Sequence, residues 1–487
     1  MSSEANHYYD SGIIKYNGMA QFAKEKEICK ITEELRKTFH LHGFHELSGH
    51  MVIPGSLTRY SQADAFRVLE ETGFTVSVCP NLRTNFIRFC DENFIEFTKR
   101  FSIGKILRSN EDPGLHPFES MECAVDIVAP TSSSRKMAKE IITLLIDLQN
   151  NVRMLSESKP ILYLGHSKLL ESICISNGCT DSTMLYDISD CLHKLTFSDE
   201  ASLKEQVERL QEDAKISFTM ASSISEMIKP AKNFEELKAR FQNLLQHETK
   251  EIKDPANIAI NEISQLLDDL PSDYHQKMFI VFHPGLPCYP DIFNDGLIYL
   301  SKLKVPWMKD PVFWGGRYAS VLSSKRYIGD LVTSVSAYGL NISIENLLRI
   351  QEKTSPSFVF STLVYPITSD AEEKADEIVQ ELRQNGISSS VYYGYPSADA
   401  LFSYCEAMKI PCVLTISSDC DDVVFYKDIK LTKSSEKGTY KNYDPTEMTR
   451  EDVIETIKEL KAQSYKSSNE KPSLSEEPTT SDKMNAV

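Results

Sequence analysis

Apolar residues recur at helical spacing over 20–39, where Ile28, Ile31, Leu35 and Phe39 fall on one face among Lys and Glu. The first predicted element is therefore an amphipathic helix. His42-Gly43 ends it, and a short extended run follows from His45 to Ile53, before Pro54-Gly55. Residues 74–79 predict a strand, and residues 83–100 a helix closing on Lys99-Arg100. Two β-type runs, Ile103 to Arg108 and Met121 to Val128, flank a polar stretch rich in Gly, Pro and Asp, which is the pattern of a hairpin. Ser133 or Ser134 then caps a helix whose apolar face is Met137, Ala138, Ile141, Leu144, Leu145 and Leu148.

From 160 to 275 the pattern is mostly helical, and about 150–275 is expected as a helical insertion. Asp254-Pro255 starts one good helix, with Ile260, Ile263, Leu266, Leu267 and Leu270 on its buried side. Met278 to Phe282, Leu297 to Leu300 and Pro311 to Trp314 are strand candidates, and Phe313-Trp314-Gly315-Gly316-Arg317-Tyr318 reads as running into a loop. Leu340 to Ile344 alternates as a strand, and Glu345 to Ile350 opens a helix.

Ser355-Pro356 marks the main boundary. Beyond it, Phe358 to Tyr365, Val391 to Tyr393, Val413 to Ile416 and Val423 to Tyr426 alternate with helices that begin near Asp370 and Ser397. Asp370 and Glu373 resemble a capping box, and Asn385-Gly386 ends the first of these helices. This predicts a small, mainly parallel α/β domain. The expected organisation is an extension at 1–19, an α+β body at 20–354, an α/β domain at 355–461, and a disordered Ser-, Glu- and Pro-rich tail at 462–487.

Length and charge narrow the function. The chain has 487 residues, enough for several domains. Lys plus Arg number 53 and Asp plus Glu number 70, for a net charge of −17. Phosphate binding draws on Lys and Arg, so any RNA contact must sit on a local basic patch. The best such patch is Lys427, Lys430, Lys433, Lys437 and Lys441, interleaved with Tyr426, Tyr440 and Tyr443; Arg83, Arg88, Lys99 and Arg100 form a second. The alternative reading of the first is a solvated charged face, diluted by Glu436 and Asp444. No apolar run reaches membrane-spanning length, and Met1 to Asp10 lacks the pattern of a secretory leader. The 11 cysteines include no C-x-x-C pair, so reduced thiols in the cytosol are expected, with no structural zinc. His40, His42, His45 and His50 straddle a helix end and a strand and read as loop and surface histidines rather than a metal site. There is no P-loop and no kinase motif set, and no cofactor is implied.

The order of segments, the Gly315-Gly316-Arg317-Tyr318 motif and the terminal α/β module resemble class II aminoacyl-tRNA synthetases, histidyl-tRNA synthetase in particular. The run from Cys79 to Cys90, the run from Lys99 to Val128 and the run from Leu401 to Asp419 are more similar still to the histidyl-tRNA-synthetase-like region of the kinase that senses amino-acid starvation and phosphorylates the alpha subunit of initiation factor two. The resemblance implies a class II antiparallel core with a helical insertion, followed by an anticodon-binding-like α/β domain. It also implies a regulatory module that binds deacylated tRNA and pairs with itself.

It further implies what has been lost. Arg108 stands at the ATP-binding arginine of the second class motif, but Asn346 stands where the third motif has arginine, and asparagine lacks the charge and forked donors of guanidinium. The enzyme's histidine-specific loop becomes Pro284, Gly285, Leu286, Pro287, Cys288 and Tyr289. Asn81 falls at a glutamate position, and His50 at the first motif's proline. The remnant is Arg108, Glu122, Asp126, Gly315, Gly316, Arg317 and Glu345. These residues admit two readings, a pocket that still takes a cationic amine, or buried ion pairs that hold an old pocket together. The expected function is an inactive, tRNA-binding, dimeric pseudo-synthetase that could work with a kinase domain or the translation machinery, with no membrane. The alternatives are an active or divergent histidine–tRNA ligase and a dimerisation scaffold without RNA.

Overall fold

A computed structural model describes residues 18–54, 65–109, 118–197, 203–246, 248–286, 292–303, 305, 308, 310–322, 325–328, 331–354, 361–394, 397–408, 410–418, 423–427 and 446–467. They fall into two compact units, one over Lys26–Pro356 and one over Ser357 onward together with Tyr16–Glu25.

Helix α1 (Gly18–Leu41) enters the first unit from Lys26 onward, followed by β1 (His45–Glu46), β2 (Val52–Pro54), β3 (Arg67–Leu69), β4 (Thr75–Val78) and α2 (Thr84–Glu92). The hairpin strands β5 (Thr98–Arg108) and β6 (Phe118–Pro130) come next, then α3 (Ser134–Asn151), α4 (Arg153–Ser158) and β7 (Ile161–His166). The helical region is α5 (Ser167–Ser176), α6 (Ser182–Phe197), α7 (Leu203–Glu212), α8 (Phe218–Met227), α9 (Phe234–Leu245), α10 (Lys250–Asp269) and α11 (Tyr274–Lys277). The unit ends with β8 (Ile280–Phe282), β9 (Leu297–Lys302), β10 (Phe313–Arg317), β11 (Lys325–Ile328), β12 (Leu331–Ser343) and α12 (Ile344–Thr354). The main sheet runs β1-β5-β6-β12-β10-β9-β7-β8, with β11 on β12. Its interior pairs from β5 to β7 are antiparallel, and only β1 on β5 and β7 on β8 are parallel.

Strand alternation gives this sheet two different faces. Phe101, Cys123, Val125, Ile127, Tyr338, Leu340 and Ile342 point to one face and pack with Leu35, Phe39, Ile141, Leu145 and Ile263 from the helices in one large core. Val128, Ala337, Trp314 and Ile298 point to the other face, where Phe86 and Ile87 of α2 cover them. Each fully buried Leu, Ile or Phe contributes about 1.5–3 kcal/mol. The helix-facing side therefore carries most of the fold, and the α2 side is left free to hold polar groups.

The second unit contains β13 (Ser361–Pro366), α13 (Glu372–Gln384), β14 (Ser388–Val391), α14 (Ala398–Ala407), β15 (Cys412–Ile416), β16 (Val423–Lys427), β17 (Thr446–Met448) and α15 (Arg450–Ser467). Its sheet order is β14-β13-β15-β16-β17. The first three strands are parallel and the last two antiparallel, so the domain is mixed rather than mainly parallel.

Several elements differ from the pattern reading. The helix expected over 83–100 stops at Glu92. Asn93 caps it through both its N–H and its side chain on Phe89 O, and Phe94 at φ 51 turns the chain so that Lys99 and Arg100 lie in β5. Neither serine caps α3 as expected: a 3-10 turn over Thr131–Ser133 leads in, Ser133 makes no side-chain cap bond, and Ser134 Oγ lies 3.3 Å from the Tyr338 hydroxyl. The region 150–275 is not wholly helical, because β7 is a strand of the main sheet; buried on both sides, it shows an unbroken apolar run that period alone cannot assign. Helix α10 starts at Lys250 and keeps Pro255 inside it. The Phe313–Arg317 motif is strand β10, not a loop. The α13 helix follows a 3-10 turn over Ser369–Ala371 instead of a capping box, and Asp370, hydrogen bonded to Thr368 and Ser418, is held below the usual carboxylate range. Gly386 does end that helix, at φ 70. Helix α15 continues to Ser467, past the expected start of the tail.

Candidate functional site

The α2-covered face of the main sheet carries the remnant residues on β5, β6 and α12. Cross-strand register sets Arg100 opposite Asp126 and Gly104 opposite Glu122. Even residue numbers on both strands point to this face, so Arg100, Arg108, Glu122 and Asp126 share it.

Asp126 lies at the centre and is fully buried, as are Arg83 and Arg100. Arg83 Nε donates to Asp126 Oδ1 at 2.5 Å, Arg100 Nη2 lies 2.7 Å from Oδ2, and the Tyr318 hydroxyl donates to Oδ1 at 2.9 Å. Arg83 also donates to the carbonyls of Val125 and Leu340. Its guanidinium lies 4.8 Å from the Phe293 ring centre and 5.4 Å from that of Tyr318. Arg100 donates to Leu82 O at 3.0 Å and lies 4.2 Å from the Phe86 ring centre. Burial, with the Asp126 charge beside it, pushes the Tyr318 phenol well above its ordinary range, so it stays protonated and donates.

Gly339 makes room for this cluster. A Cβ there would come within 2.6 Å of the Arg83 guanidinium. Gly315 and Gly316 serve close strand packing instead of a flexible loop. A Cβ on Gly315 would meet Gly339 O at 2.0 Å, and one on Gly316 would meet Leu297 O at 2.7 Å. The Tyr299 hydroxyl donates to that same Gly339 carbonyl at 2.6 Å.

A second pair lies farther along β5. Arg108 Nη2 donates to Glu122 Oε1 at 2.8 Å, and Arg108 Nε donates to Pro80 O at 3.2 Å. Burial pushes the Glu122 carboxyl up, Arg108 pulls it down, and Glu345 raises it again. Glu345 Oε1 accepts the Met121 N–H at 3.2 Å. Each remnant acid thus has a partner inside the protein, and Asp126 has two arginines and a tyrosine.

Arg317 departs from the expected set. It alternates with Gly316 and Tyr318 and so points to the opposite, helix-facing side. There its Nε donates to Ser336 Oγ at 3.1 Å, with Glu262 and Asp295 each 4.0 Å away.

The residues at the expected losses have structural roles. Asn346 Nδ2 donates to Pro311 O at 2.9 Å and its N–H is received by Ser343 Oγ, which fixes the start of α12. Asn81 Oδ1 accepts from the N–H groups of Arg83 and Thr84 and from the Thr84 hydroxyl, so it caps α2. Gly285 packs against Ile228, and Leu286 is core; residues 287–291 lie outside the described residues.

The second basic patch does not assemble. Arg83 and Arg100 are buried in the Asp126 cluster and cannot meet RNA as they stand. Lys99 pairs with Glu140 at 2.6 Å beneath the Phe44 ring, and Arg88 pairs with Glu92 on its own helix at 2.6 Å. Of the first patch, Lys427 ends β16, while Lys430, Lys433, Lys437 and Lys441 lie outside the described residues.

The four histidines do not converge. His42 faces Glu140 and Asp147 at 3.2 and 3.0 Å, His40 contacts Phe44 O, and His45 and His50 are exposed. Among the described residues no group of three or more His, Cys, Asp or Glu could hold a metal ion, and no helix is long and apolar enough to cross a membrane. Trp314 is buried core rather than a surface for stacking a base.

Pattern reading missed the partners of Asp126. The available signal was the even spacing of Arg100 to Arg108 and of Glu122 to Asp126, which two adjacent strands place on one face.

Residues 361–460 match the anticodon binding domain family. The chain is 25% identical over 456 residues to the eukaryotic translation initiation factor 2-alpha kinase gcn-2 of Caenorhabditis elegans, covering 86% of this chain and 26% of the kinase. It is 22% identical over 390 residues to the histidine–tRNA ligase of Clostridium tetani, covering 76% of this chain and 80% of the ligase. The crystal structure of histidyl-tRNA synthetase from Nostoc superposes with a TM-score of 0.65 at 12% identity, over 90% of this chain and 96% of that one. The chain spans about a quarter of the length of the kinases it matches. It has the class II fold of a histidyl-tRNA synthetase, with an anticodon binding domain at residues 361–460, and its sequence resembles one part of the initiation factor 2-alpha kinases.

Proposed function

We propose that the chain is a catalytically inactive histidyl-tRNA-synthetase-like module that binds deacylated tRNA and pairs with a second copy, in the cytosolic control of translation by amino-acid supply. The observation that carries this reading is the Asp126 cluster. A carboxylate on the substrate face of a synthetase fold would serve a cationic amine, but here Arg83 and Arg100 already fill its coordination. Glu122 is likewise occupied by Arg108. Asn346 takes the place of a phosphate-binding arginine and is bonded to Pro311 O. Each charge missing from a transferring phosphate costs about 2.7–4 kcal/mol of transition-state stabilisation, on the scale of a lost oxyanion donor.

The anticodon binding domain and the similarity to initiation factor 2-alpha kinases support the regulatory and tRNA-binding part. Self-association has separate support. The β1–β2 segment, which stands where class II folds carry the first motif, leaves Leu47, Met51 and Val52 exposed, and Phe94 and Phe97, just before the strand β5 that pairs with β1, are exposed as well.

Two measurements test the proposal. Histidine-dependent pyrophosphate exchange should stay at blank, and any exchange above it refutes inactivity. Filter binding should detect deacylated tRNA at low salt. Reversal of Lys427, Lys430 and Lys433 to Glu should weaken it and reduce the salt slope by about 0.7–0.9 per lost contact. If the wild-type chain binds no tRNA at low salt, the scaffold reading replaces the sensor reading.

A further inference from the structure

Helix α1 ends at Leu41 and the chain turns a corner into β1. Gly43, at φ 73, makes the turn, and His42 stands at its start. There both ring nitrogens of His42 meet α3: Nδ1 lies 3.2 Å from Glu140 Oε1, and Nε2 lies 3.0 Å from Asp147 Oδ2. Two turns of helix separate positions 140 and 147, so one face of α3 presents both carboxylates. The His42 side chain is 12% exposed, so water screens these contacts only in part. Lys99 of β5 donates to Glu140 Oε1 at 2.6 Å and to the His42 carbonyl. The other titratable groups around the corner are paired elsewhere. His40 Nδ1 contacts Phe44 O, and Arg36 forks onto Glu46 at 3.0 and 3.1 Å. Lys277 of α11 acts on Asp147 from farther off and pairs with Asp273 at 2.8 Å.

Carboxylate oxygens accept hydrogen bonds and donate none. Two of them on the two nitrogens of one imidazole therefore require a hydrogen on each nitrogen, which is the imidazolium. A neutral ring carries one N–H, and its other nitrogen would set a lone pair against a carboxylate. Charge balance agrees. With His42 protonated, two carboxylates face two cations; without that proton, the corner holds an uncompensated negative charge. The bond to Glu140, against burial, raises His42 above its ordinary range, and the same bond holds Glu140 down to about 2.

We propose that His42 is a latch closed by its proton. As imidazolium it ties the α1–β1 corner to α3; on losing the proton it releases the corner, and with it the β1–β2 segment through which the chain pairs. The link to pairing rests on the pairing reading given above, whereas the latch does not. Opening follows proton linkage. Between about pH 6.5 and the folded midpoint of His42, the open fraction rises by up to about tenfold per pH unit, and above that midpoint it levels off.

The test uses the full chain. Slow exchange of the imidazole C2 hydrogen is read by mass spectrometry on the tryptic peptide from Thr38 to Arg59, where fragment ions separate His42 from His40, His45 and His50. Backbone amide exchange, corrected for its intrinsic pH dependence, follows Phe44 and Leu47, whose N–H groups donate to Phe39 O and Phe101 O. His42 should titrate with a midpoint above about 6.5, and exchange at both amides should rise across that midpoint. His42→Arg, a cation at every pH, should hold the closed level throughout, and His42→Gln the open level. A His42 midpoint at or below about 6.5 overturns the proposal, and so does corrected exchange at both amides that stays constant with pH. Both are read on the wild type, so a variant that fails to fold leaves the test intact. Sedimentation at about pH 6 and about pH 8.5 decides the link, with a smaller dimer fraction expected at the higher value. A dimer fraction that stays constant while the corner opens overturns the link. A monomer at both values refutes the pairing reading itself, while the exchange data still decide the latch.

Discussion

Replacing Asp126 with Asn tests the buried cluster most directly. The change keeps the shape and the Tyr318 contact but removes the one negative charge between two buried guanidinium groups. Charge centres in such contacts lie about 4 Å apart, so each attraction is about 4 kcal/mol at an effective dielectric of 20, about 8 kcal/mol for both. Water would return part of this in the unfolded chain, and asparagine keeps one acceptor. Breaking buried ion pairs from one side costs about 3–5 kcal/mol, because the remaining charge stays buried. The expected loss is therefore about 4 kcal/mol, close to a thousandfold in the folding equilibrium. The sequence has two tryptophans, both before Ser355, and Trp314 is buried in the core of the first unit, so tryptophan fluorescence during a urea titration reads that unit. Arg83→Met combined with Asp126→Asn should cost less than the sum of the two single changes, by about 1–3 kcal/mol. A loss below about 1 kcal/mol for Asp126→Asn, in the range of an ordinary surface change, would refute the claim that Asp126 neutralises both arginines.

Stability of the first unit should peak near neutral pH. His42 is raised by its bond to Glu140, against burial, and by Asp147, so its contribution is complete below about 6.5 and is lost as pH rises through the higher folded value. Burial lowers His283 and His193 to about 4, so stability also falls as pH drops from 6.5 toward 4. His42→Gln should flatten the alkaline side of a pH series of urea midpoints and, because the bond to His42 is the first cause holding Glu140 at about 2, also reduce the loss of stability as pH falls below about 4.5. Gly315→Ala places a Cβ 2.0 Å from a backbone carbonyl, beyond what side-chain adjustment relieves, and should cost at least about 3 kcal/mol by urea midpoint or abolish soluble expression. Wild-type protein at micromolar concentration should sediment as a dimer, and Leu47→Glu with Met51→Glu should sediment as a monomer; a wild-type monomer refutes pairing through β1–β2.

Local signals made much of the fold legible. The faces of α1 and α3, the β5–β6 hairpin and the βα alternation after Ser355 all come from periods that a short window contains. The misplaced elements are those whose context is distant. Strand β7 reads as an apolar helix start because neighbours β8 and β9 lie beyond more than a hundred residues of intervening chain. Lys99 and Arg100 read as a helix end because a basic pair is favourable there; only the cross-strand partner of Arg100, Asp126, reveals its burial. The remnant acids are legible as a set, and buried ion pairs are one of the two readings they admit, the one that the pairs at Asp126 and Glu122 show; the identity of the Asp126 partners is not legible, since Arg83 reaches it from outside the hairpin. Arg317 is grouped with the other remnant residues because its motif reads as a loop, which has no alternation to show that it points to the other face.

The order of strands in the main sheet also sets an order of events in synthesis. β5 and β6 are neighbours in sequence and can pair as soon as both have emerged. The other edge of β6 is filled by β12, which brings residues 335–343 against 122–130. Until β12 leaves the ribosome, a long strand of alternating apolar residues presents unpaired N–H and carbonyl groups, the kind of edge that recruits other chains. The intervening helices can form early from local contacts, whereas this pairing must close a loop of roughly two hundred residues, which makes it a late step. A nascent chain stalled between α11 and β12 is thus the species that a chaperone must cover, and a stop codon in that interval should yield an aggregate rather than a smaller domain.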